Sequence, residues 1–379
     1  MATHELELTE PVDLCGSDGS SLNPSARGWS RRPLHTANLH GCFGVNKRWD
    51  YWAVLAGDLA LSAVYSNIDH FGLADVWWVD LVSGETGGKG ILTPGDALEL
   101  PERPGTAPLV VDRDGLDLRM VDDEQGTRLL GHWVEADGRH GRLEVLVELP
   151  VGHESLNVVI PWSDTVFNFT SKHQARPAVG HLTVALPPGH ESLNVVIPWD
   201  DELFNFTSKH QARPATGTMT VGDQRYVIGG ANGDAWGVLD VGRGRWPARI
   251  NWNWGGGAGR CGVHVVGLQF GAKWTAGTGF TENGLIVDGR LHKLGNELAW
   301  EYDWDDPMEP WRVTDPGGQL DVVLEPSFDK HSQVDASEDL GSETHQVFGT
   351  WSGRMVTDDG LALDVEGLQG FAEEARQRW

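Results

Sequence analysis

The chain of 379 residues carries 55 acidic against 29 basic side chains, a formal net charge of -26, and its length allows two or three ordinary domains. So large a negative charge repels nucleic acid and anionic membrane surfaces, which leaves a small neutral or apolar molecule as the partner to expect. The 49 glycines suit many turns and bulges, and the 18 tryptophans supply broad apolar walls, each with one polar handle, that serve either as core or as the lining of a ligand pocket.

Met1 to Glu10 hold acids and no apolar run, and no later segment approaches the length of a transmembrane helix, so a cytoplasmic protein is expected. Cys15, Cys42 and Cys261 are odd in number and scattered, which indicates neither a disulfide framework nor a structural zinc site. The runs Gly28-Trp-Ser-Arg-Arg-Pro-Leu-His35 and Lys47-Arg-Trp-Asp-Tyr-Trp52 concentrate positive charge. Their Arg31, Arg32, Lys47 and Arg48 either bind an anionic ligand group or tie an N-terminal arm to acidic strands, and His35 and Asp50 stand among them.

Period-two alternation marks half-buried strands at Leu143-Glu-Val-Leu-Val-Glu-Leu149, Leu320-Asp-Val-Val-Leu-Glu325 and Leu361-Ala-Leu-Asp-Val-Glu366. The best candidate for a helix is the short run Gly370-Phe-Ala-Glu-Glu-Ala-Arg-Gln-Arg378. Many short strands with frequent turns predict an all-β barrel or sandwich with few short helices.

Residues 149–184 recur at 186–221, a period of 37, with 29 of 36 positions identical. Each copy reads as an apolar strand, a turn and a polar strand. A solenoid would repeat at least three times, so the pair is a local tandem duplication, and one copy is surplus to the fold. It must form an extra hairpin, replace a strand or loop out; a closed barrel resists two added strands because strand number and shear are linked.

Acids and tryptophans concentrate in Gly233-Asp-Ala-Trp-Gly-Val-Leu-Asp-Val-Gly-Arg-Gly-Arg-Trp-Pro247 and Arg249-Ile-Asn-Trp-Asn-Trp-Gly-Gly-Gly257. Asp240, between Leu239 and Val241, is the candidate general acid: burial there would raise its pKa. The competing reading pairs it with Arg243 or Arg245 as a structural ion pair. In a strand, Asn251 and Asn253 face one way and Trp252 and Trp254 the other, so Trp236, Trp252 and Trp254 are candidates to shape a cavity, with Asn253 and Arg243 orienting a ligand. The following three glycines lack the spacing of a phosphate-binding loop.

Glu282, in Gly277-Thr-Gly-Phe-Thr-Glu-Asn-Gly-Leu-Ile-Val-Asp-Gly-Arg290, is the candidate second carboxylate, with Lys273 and Trp274 just before it. His153-Glu154 and His190-Glu191 lack the second histidine of a zinc-binding helix, and the other histidines show no ligand spacing, so no metal site is expected. No nucleophile elbow and no dinucleotide fingerprint occur, and no cofactor is expected.

The runs Leu22-Asn-Pro-Ser-Ala-Arg-Gly-Trp-Ser-Arg-Arg-Pro-Leu-His35, Asn46-Lys-Arg-Trp-Asp-Tyr-Trp52, Gly271-Ala-Lys-Trp-Thr-Ala-Gly-Thr-Gly-Phe-Thr-Glu-Asn283 and Gly370-Phe-Ala-Glu-Glu-Ala-Arg-Gln-Arg-Trp379 resemble the bacterial family of domain of unknown function 2804, which has one copy of the duplicated segment. More remotely, Phe206-Thr-Ser208, Gly217-Thr-Met-Thr-Val221, Trp236-Gly-Val-Leu-Asp240 and Trp252-Asn-Trp254 are similar to features of the carotenoid hydratase and AttH-like proteins. That resemblance implies two lipocalin-like (calycin-type) antiparallel β-barrels side by side, a ligand cavity at or between them, and Asp240 in the place of a catalytic acid.

The organisation expected is a first β-barrel-like domain over residues 1–257, carrying the duplication, and a second over 258–379. The working function is binding of a small, largely apolar or neutral organic molecule, with cofactor-free acid catalysis of hydration, isomerisation or cyclisation. Two alternatives stand beside it: a carbohydrate-active hydrolase or lyase using Asp240 and Glu282 as a carboxylate pair, and a non-catalytic binding protein. The ligand's identity and the oligomeric state are not legible in the sequence.

Overall fold

The structure, a computed structural model, describes residues 4–41, 43–148, 156–161, 167–172, 193–198, 204–230, 233–335 and 337–378. Apart from single 3-10 turns at Pro24–Ala26 and Gly95–Ala97, the regular structure of these residues is strand. An N-terminal arm comes first, with β1 (Val12–Asp13), β2 (Gly28–Ser30) and β3 (His35–Thr36), of which β1 and β3 pair in parallel. The first unit then takes β4 (Asn46–Ala56), β5 (Leu59–Asn67), β6 (Phe71–Asp80), β7 (Thr86–Pro94), β8 (Leu109–Arg113), β9 (Leu116–Asp123), β10 (Gly126–Val134), β11 (His140–Glu148), β12 (Leu156–Pro161), β13 (Phe167–Lys172), β14 (Leu193–Pro198), β15 (Phe204–Pro214), β16 (Thr216–Val221), β17 (Gln224–Ile228) and β18 (Trp236–Arg245). The second takes β19 (Arg249–Cys261), β20 (His264–Ala272), β21 (Asn283–Val287), β22 (Arg290–Leu294), β23 (Ala299–Glu301), β24 (Trp311–Thr314), β25 (Leu320–Asp335), β26 (Gly341–Val356) and β27 (Ala362–Arg378).

In the first unit a sheet ordered β2-β12-β13-β18-β4-β5-β6-β7, joined by β14 and β15, faces the sheet β17-β16-β11-β10-β9-β8. Their inner faces share one core, in which Trp52, Leu61 and Trp78 meet Leu118, Trp133 and Met219. Glu135, just after β10, accepts hydrogen bonds at 2.8 Å from the indoles of Trp78 and Trp133 and from the Gly88 amide. One buried carboxylate thus laces the two sheets together with charge-assisted bonds, each contributing about 1.5–3 kcal/mol.

The second unit is one curled antiparallel sheet, β22-β21-β20-β19-β27-β26-β25-β24-β23, wrapped around its own core. The three-glycine run lies within β19: a Cβ on Gly257 would stand 2.7 Å from the Trp351 ring, whose indole nitrogen donates to the Gly256 carbonyl at 3.0 Å. These glycines make room for a core tryptophan. Strands divide between Arg245 and Arg249, and β19 runs unbroken through residue 257, so residues 249–257 pair within the second unit.

The C-terminal run expected as the best helix is instead a central strand, β27, hydrogen-bonded on both sides to β19 and β26. Nine residues, seven of them good helix formers, cannot repay the cost of helix nucleation alone, whereas two flanking ladders pair the backbone of the run on both sides. Period two then sorts its side chains, Ala372 into the second core and Phe371 outward.

That outward face packs on the first unit. Ala53, Leu55, Val79 and Val238 meet Trp254, Phe348 and Phe371 in a layer between β4, β5, β6 and β18 on one side and β19, β26 and β27 on the other. The arm closes a second seam, where Leu14, Leu22 and Trp29 join Trp246, Trp274 and Ile286.

Both copies of the duplicated segment form a hairpin, β12 with β13 and β14 with β15, in equivalent registers: Leu156 opposite Lys172, Leu193 opposite Lys209. Both second strands align on the edge of β18 that β4 leaves open. β13 does so with Asn168 opposite Gly244 and Phe169 opposite Arg243, and β15 with Phe204 opposite Arg245 and Thr207 opposite Gly242. Shifted by 37 residues these are one register, so two nearly identical strands address a single place in the sheet.

Candidate functional site

Leu239 and Val241, the sequence neighbours of Asp240, point into the first core, and by the two-residue period Asp240 points the other way, with Val238, into the layer between the units. It is 9% exposed. Directly opposite on β4 stands Tyr51, and the Trp254 ring meets the Tyr51 ring edge-on at 5.6 Å. Burial, then the charge of Glu373, pushes the Tyr51 phenol well above its ordinary range; hydrogen bonds with Gln346 and Ser62 pull the other way, and the charge of Asp240 adds to the rise. The phenol therefore stays protonated at neutral pH.

Glu373 comes from β27 and is itself buried. It accepts from the Trp252 indole at 2.7 Å and from the Gln346 amide at 2.9 Å. The layer thus assembles a carboxyl, a phenol and a second carboxyl from three strands of two sheets, walled by indoles. Proton donation and acceptance are what carboxyls and a phenol can do.

The other candidates divide among separate groups. Trp252 and Trp254 lie in the layer, as the alternation of β19 requires, while Asn253 faces the second core and donates to the Tyr302 hydroxyl at 3.0 Å. There Lys273 donates to the same hydroxyl at 2.7 Å and pairs with Glu374 at 2.8 Å; Tyr302 in turn bonds to Glu374 and stacks on Trp311 at 3.9 Å. Burial raises the Glu374 pKa, but bonds from Arg376, Lys273 and Tyr302 prevail and hold it below the usual range. Asn253 and Lys273 therefore belong to one polar cluster at the rim of the second core.

Glu282 is buried at the seam of the arm, where it accepts from the Trp274 indole at 2.7 Å and its side chain lies against Gly271, at which a Cβ would stand 1.9 Å from its Oε1. It shares an electrostatic environment with Lys293, whose ammonium pairs with Glu5 at 2.6 Å. Trp274 stacks on Trp246 at 5.7 Å. Asp240, by contrast, acts on Tyr51 and Asp50.

Arg243 faces inward, opposite to Asp240, and pairs with Asp50 at 2.5 Å with both side chains buried. Trp236 packs with Ala258 and Val265 at the far end of β18. The basic residues of the N-terminal runs serve as ties: Arg31 pairs with Glu7, Lys47 donates to the Gly44 and Ile68 carbonyls, and Arg48 donates to the Leu39 carbonyl. His35 is fully buried and bonded to the Ala26 carbonyl. A surface depression of about 420 Å3 lies elsewhere, on the outer face of β9–β11 beside Asp117, Arg119, His132, Arg142 and Glu144.

Tyr51, Glu373, Tyr302 and Glu374 escaped the sequence reading. Tyr51 stood in a run noticed for its charge. Glu373 and Glu374 stood in the run read as a helix; read as a strand, two adjacent glutamates must serve opposite faces, one toward each group.

Residues 5–186 and again 180–379 match the family model described as Domain of unknown function (DUF2804), and the two matches meet at the junction of the duplicated copies. No curated protein matches. Among solved structures, kievitone hydratase from Nectria haematococca is similar over 97% of both chains at 11% identity and a TM-score of 0.47. CghA with Sch210972 is similar over 88% of this chain and 89% of that one, at 10% identity and a TM-score of 0.41. A candidate AttH from Nitrosomonas europaea covers 88% of this chain and 93% of its own, at 10% identity and a TM-score of 0.40. No helix among the described residues is long and apolar enough to cross a membrane.

Proposed function

The chain belongs to the family of domain of unknown function 2804, and from that premise we propose that it binds a small, largely apolar or neutral organic molecule between its two units and acts on it by cofactor-free acid catalysis. The reaction class is hydration, isomerisation or cyclisation. The observation that carries this reading is the burial of Asp240, the Tyr51 phenol and Glu373 in one layer, with the Trp252 indole bonded to Glu373 and the Trp254 ring against Tyr51.

Two carboxyls and a phenol are buried in this layer beside Ser62, Gln346 and Lys330, whose bonds and charge offset part of the cost of burial, and such buried titratable groups concentrate where proton transfer is needed. In the proposed chemistry Asp240 gives its proton to a double bond or an oxygen of the substrate. The indole faces stabilise the cationic centre that results. In a hydration, water adds to that centre and loses a proton to the second carboxylate, Glu373. In an isomerisation or cyclisation, Glu373 takes a proton from carbon instead, and Tyr51 orients Asp240. A glycosidic cleavage would require Asp240 and Glu282 to flank one groove, and their partners lie in different groups.

Native mass spectrometry of protein purified from its own host tests the reading. We expect a neutral organic adduct that denaturation releases, that persists in Asp240→Asn and that is lost in the Trp252→Ala/Trp254→Ala double variant. An adduct retained in the double variant would put the ligand elsewhere, and wild-type protein free of any adduct would remove the support for binding.

A further inference from the structure

β25 and β26 form a long antiparallel pair in which His331 stands directly opposite His345. The two imidazoles lie parallel, centroids 4.2 Å apart. Glu343 shares their face, two residues before His345, and its Oε1 is 3.3 Å from His331 Nε2. One ligating atom from each of the three lies within 4.8 Å of the others. Asp329, two residues before His331 and so on the same face, holds His345 Nδ1 at 2.7 Å. Trp304 meets the His345 ring edge-on at 4.6 Å and closes one side of the group.

We propose that His331, His345 and Glu343 bind a divalent transition ion of the zinc type, with Asp329 orienting His345. Two imidazoles and a carboxylate are the donor set such ions prefer. A carboxylate on Nδ1 fixes the tautomer that leaves Nε2 free to ligate, the arrangement that accompanies histidine ligands generally. Side chains directly opposite on adjacent strands have Cβ atoms about 4.5–5.5 Å apart, which lets both rings converge on one ion at roughly 2.0–2.1 Å by rotation alone. Side-chain exposures of 43% and 34% for His331 and Glu343 leave an entry path, while His345 at 12% anchors the site. The nearby cation does not block it: Arg376 is held by Glu374 at 2.9 Å and lies over the Trp304 ring at 3.6 Å.

Three protein ligands leave at least one coordination position open. Glu374, opposite His345 on β27, connects the group to Tyr302 and Lys273, so the ion would stand one strand away from that polar cluster. No histidine spacing betrayed the group because its members come from two strands and meet only through the ladder.

Calorimetric titration of the full chain with zinc chloride tests the proposal. One ion per chain should bind to wild type, at least about tenfold more weakly to His331→Ala, His345→Ala and Glu343→Gln, and about 10–100-fold more weakly to Asp329→Asn. Thermal melts show whether each variant is folded, and His345→Gln, which keeps the ring's volume more nearly, replaces His345→Ala if that variant is not. Absence of zinc binding by wild type at 1 mM, on the order of the weakest affinities worth assigning, overturns the site. Undiminished binding by the folded variants overturns it as well, and points to the other His–carboxylate group, His292 with Asp358 and Asp359.

Discussion

Asp240 and Tyr51 face each other across the β18–β4 ladder, and the second unit sets against them Trp254, whose ring meets that of Tyr51 edge-on, and its ladder partner Glu373, whose charge helps keep the phenol protonated. The arrangement ties the chemistry to the packing of the two units, because each unit supplies part of it.

Replacing Asp240 by Asn should lower turnover of the bound compound by about 10²–10⁴-fold while leaving its affinity within a few-fold. Tyr51→Phe should fall between that variant and wild type. Steady-state kinetics on the compound released from the native protein separate the two effects; full activity in Asp240→Asn would remove it from the acid role.

The Asp50–Arg243 pair is a buried ion pair on the inner face of the same strands. Removing one partner, as in Asp50→Ala or Arg243→Ala, should destabilise the fold by about 3–5 kcal/mol, since the remaining charge stays buried alone. Replacing both by apolar residues, Asp50→Leu with Arg243→Met, should recover much of the loss. Urea denaturation measures all three, and a double variant worse than the sum of the singles would contradict the argument.

His35 is fully buried, and burial pulls its pKa from 6.5 down to about 3, against the hydrogen bond to the Ala26 carbonyl. Between those values the unfolded chain binds a proton that the folded chain does not, so stability falls as pH drops from about 6.5 to about 3, by roughly 1.4 kcal/mol per pH unit from this group. His35→Gln retains an amide donor but cannot titrate, and its stability should fall less steeply over that range. Melting curves at pH 7, 6 and 5, around the unfolded value of 6.5, with parallel slopes for both proteins would rule the effect out.

Because β13 and β15 share one register on one edge of β18, deleting residues 149–185 should leave a folded protein with an unchanged or higher melting temperature. Proline cannot donate to a ladder, so Thr170→Pro or Thr207→Pro alone should be tolerated in the full chain, where the other copy takes the place. The two together should be strongly destabilising, a non-additivity that a double-mutant cycle reads directly. Additive effects would mean that the copies hold separate positions.

Much of this was legible in the sequence. The alternation in Asn251-Trp-Asn-Trp254 correctly sends indoles and amides to opposite faces, because side-chain direction in a strand depends only on position. For Asp240 the sequence instead suggests shelter by Leu239 and Val241; in the strand those two enter the first core and Asp240 faces the other way, into the layer between the units. The C-terminal run was misread because its composition suits a helix, and only the ladders on either side make it a strand.

By itself, then, the sequence determined the all-β class, the duplication and the facing of side chains along each strand, all of which follow from local periodicity. Tertiary structure alone decided the partners. Tyr51, Asp240 and Glu373 come from strands far apart in the chain, whose order in the sheets only the fold sets, while His331 and His345 stand on consecutive strands and face each other because of the register in which that hairpin pairs.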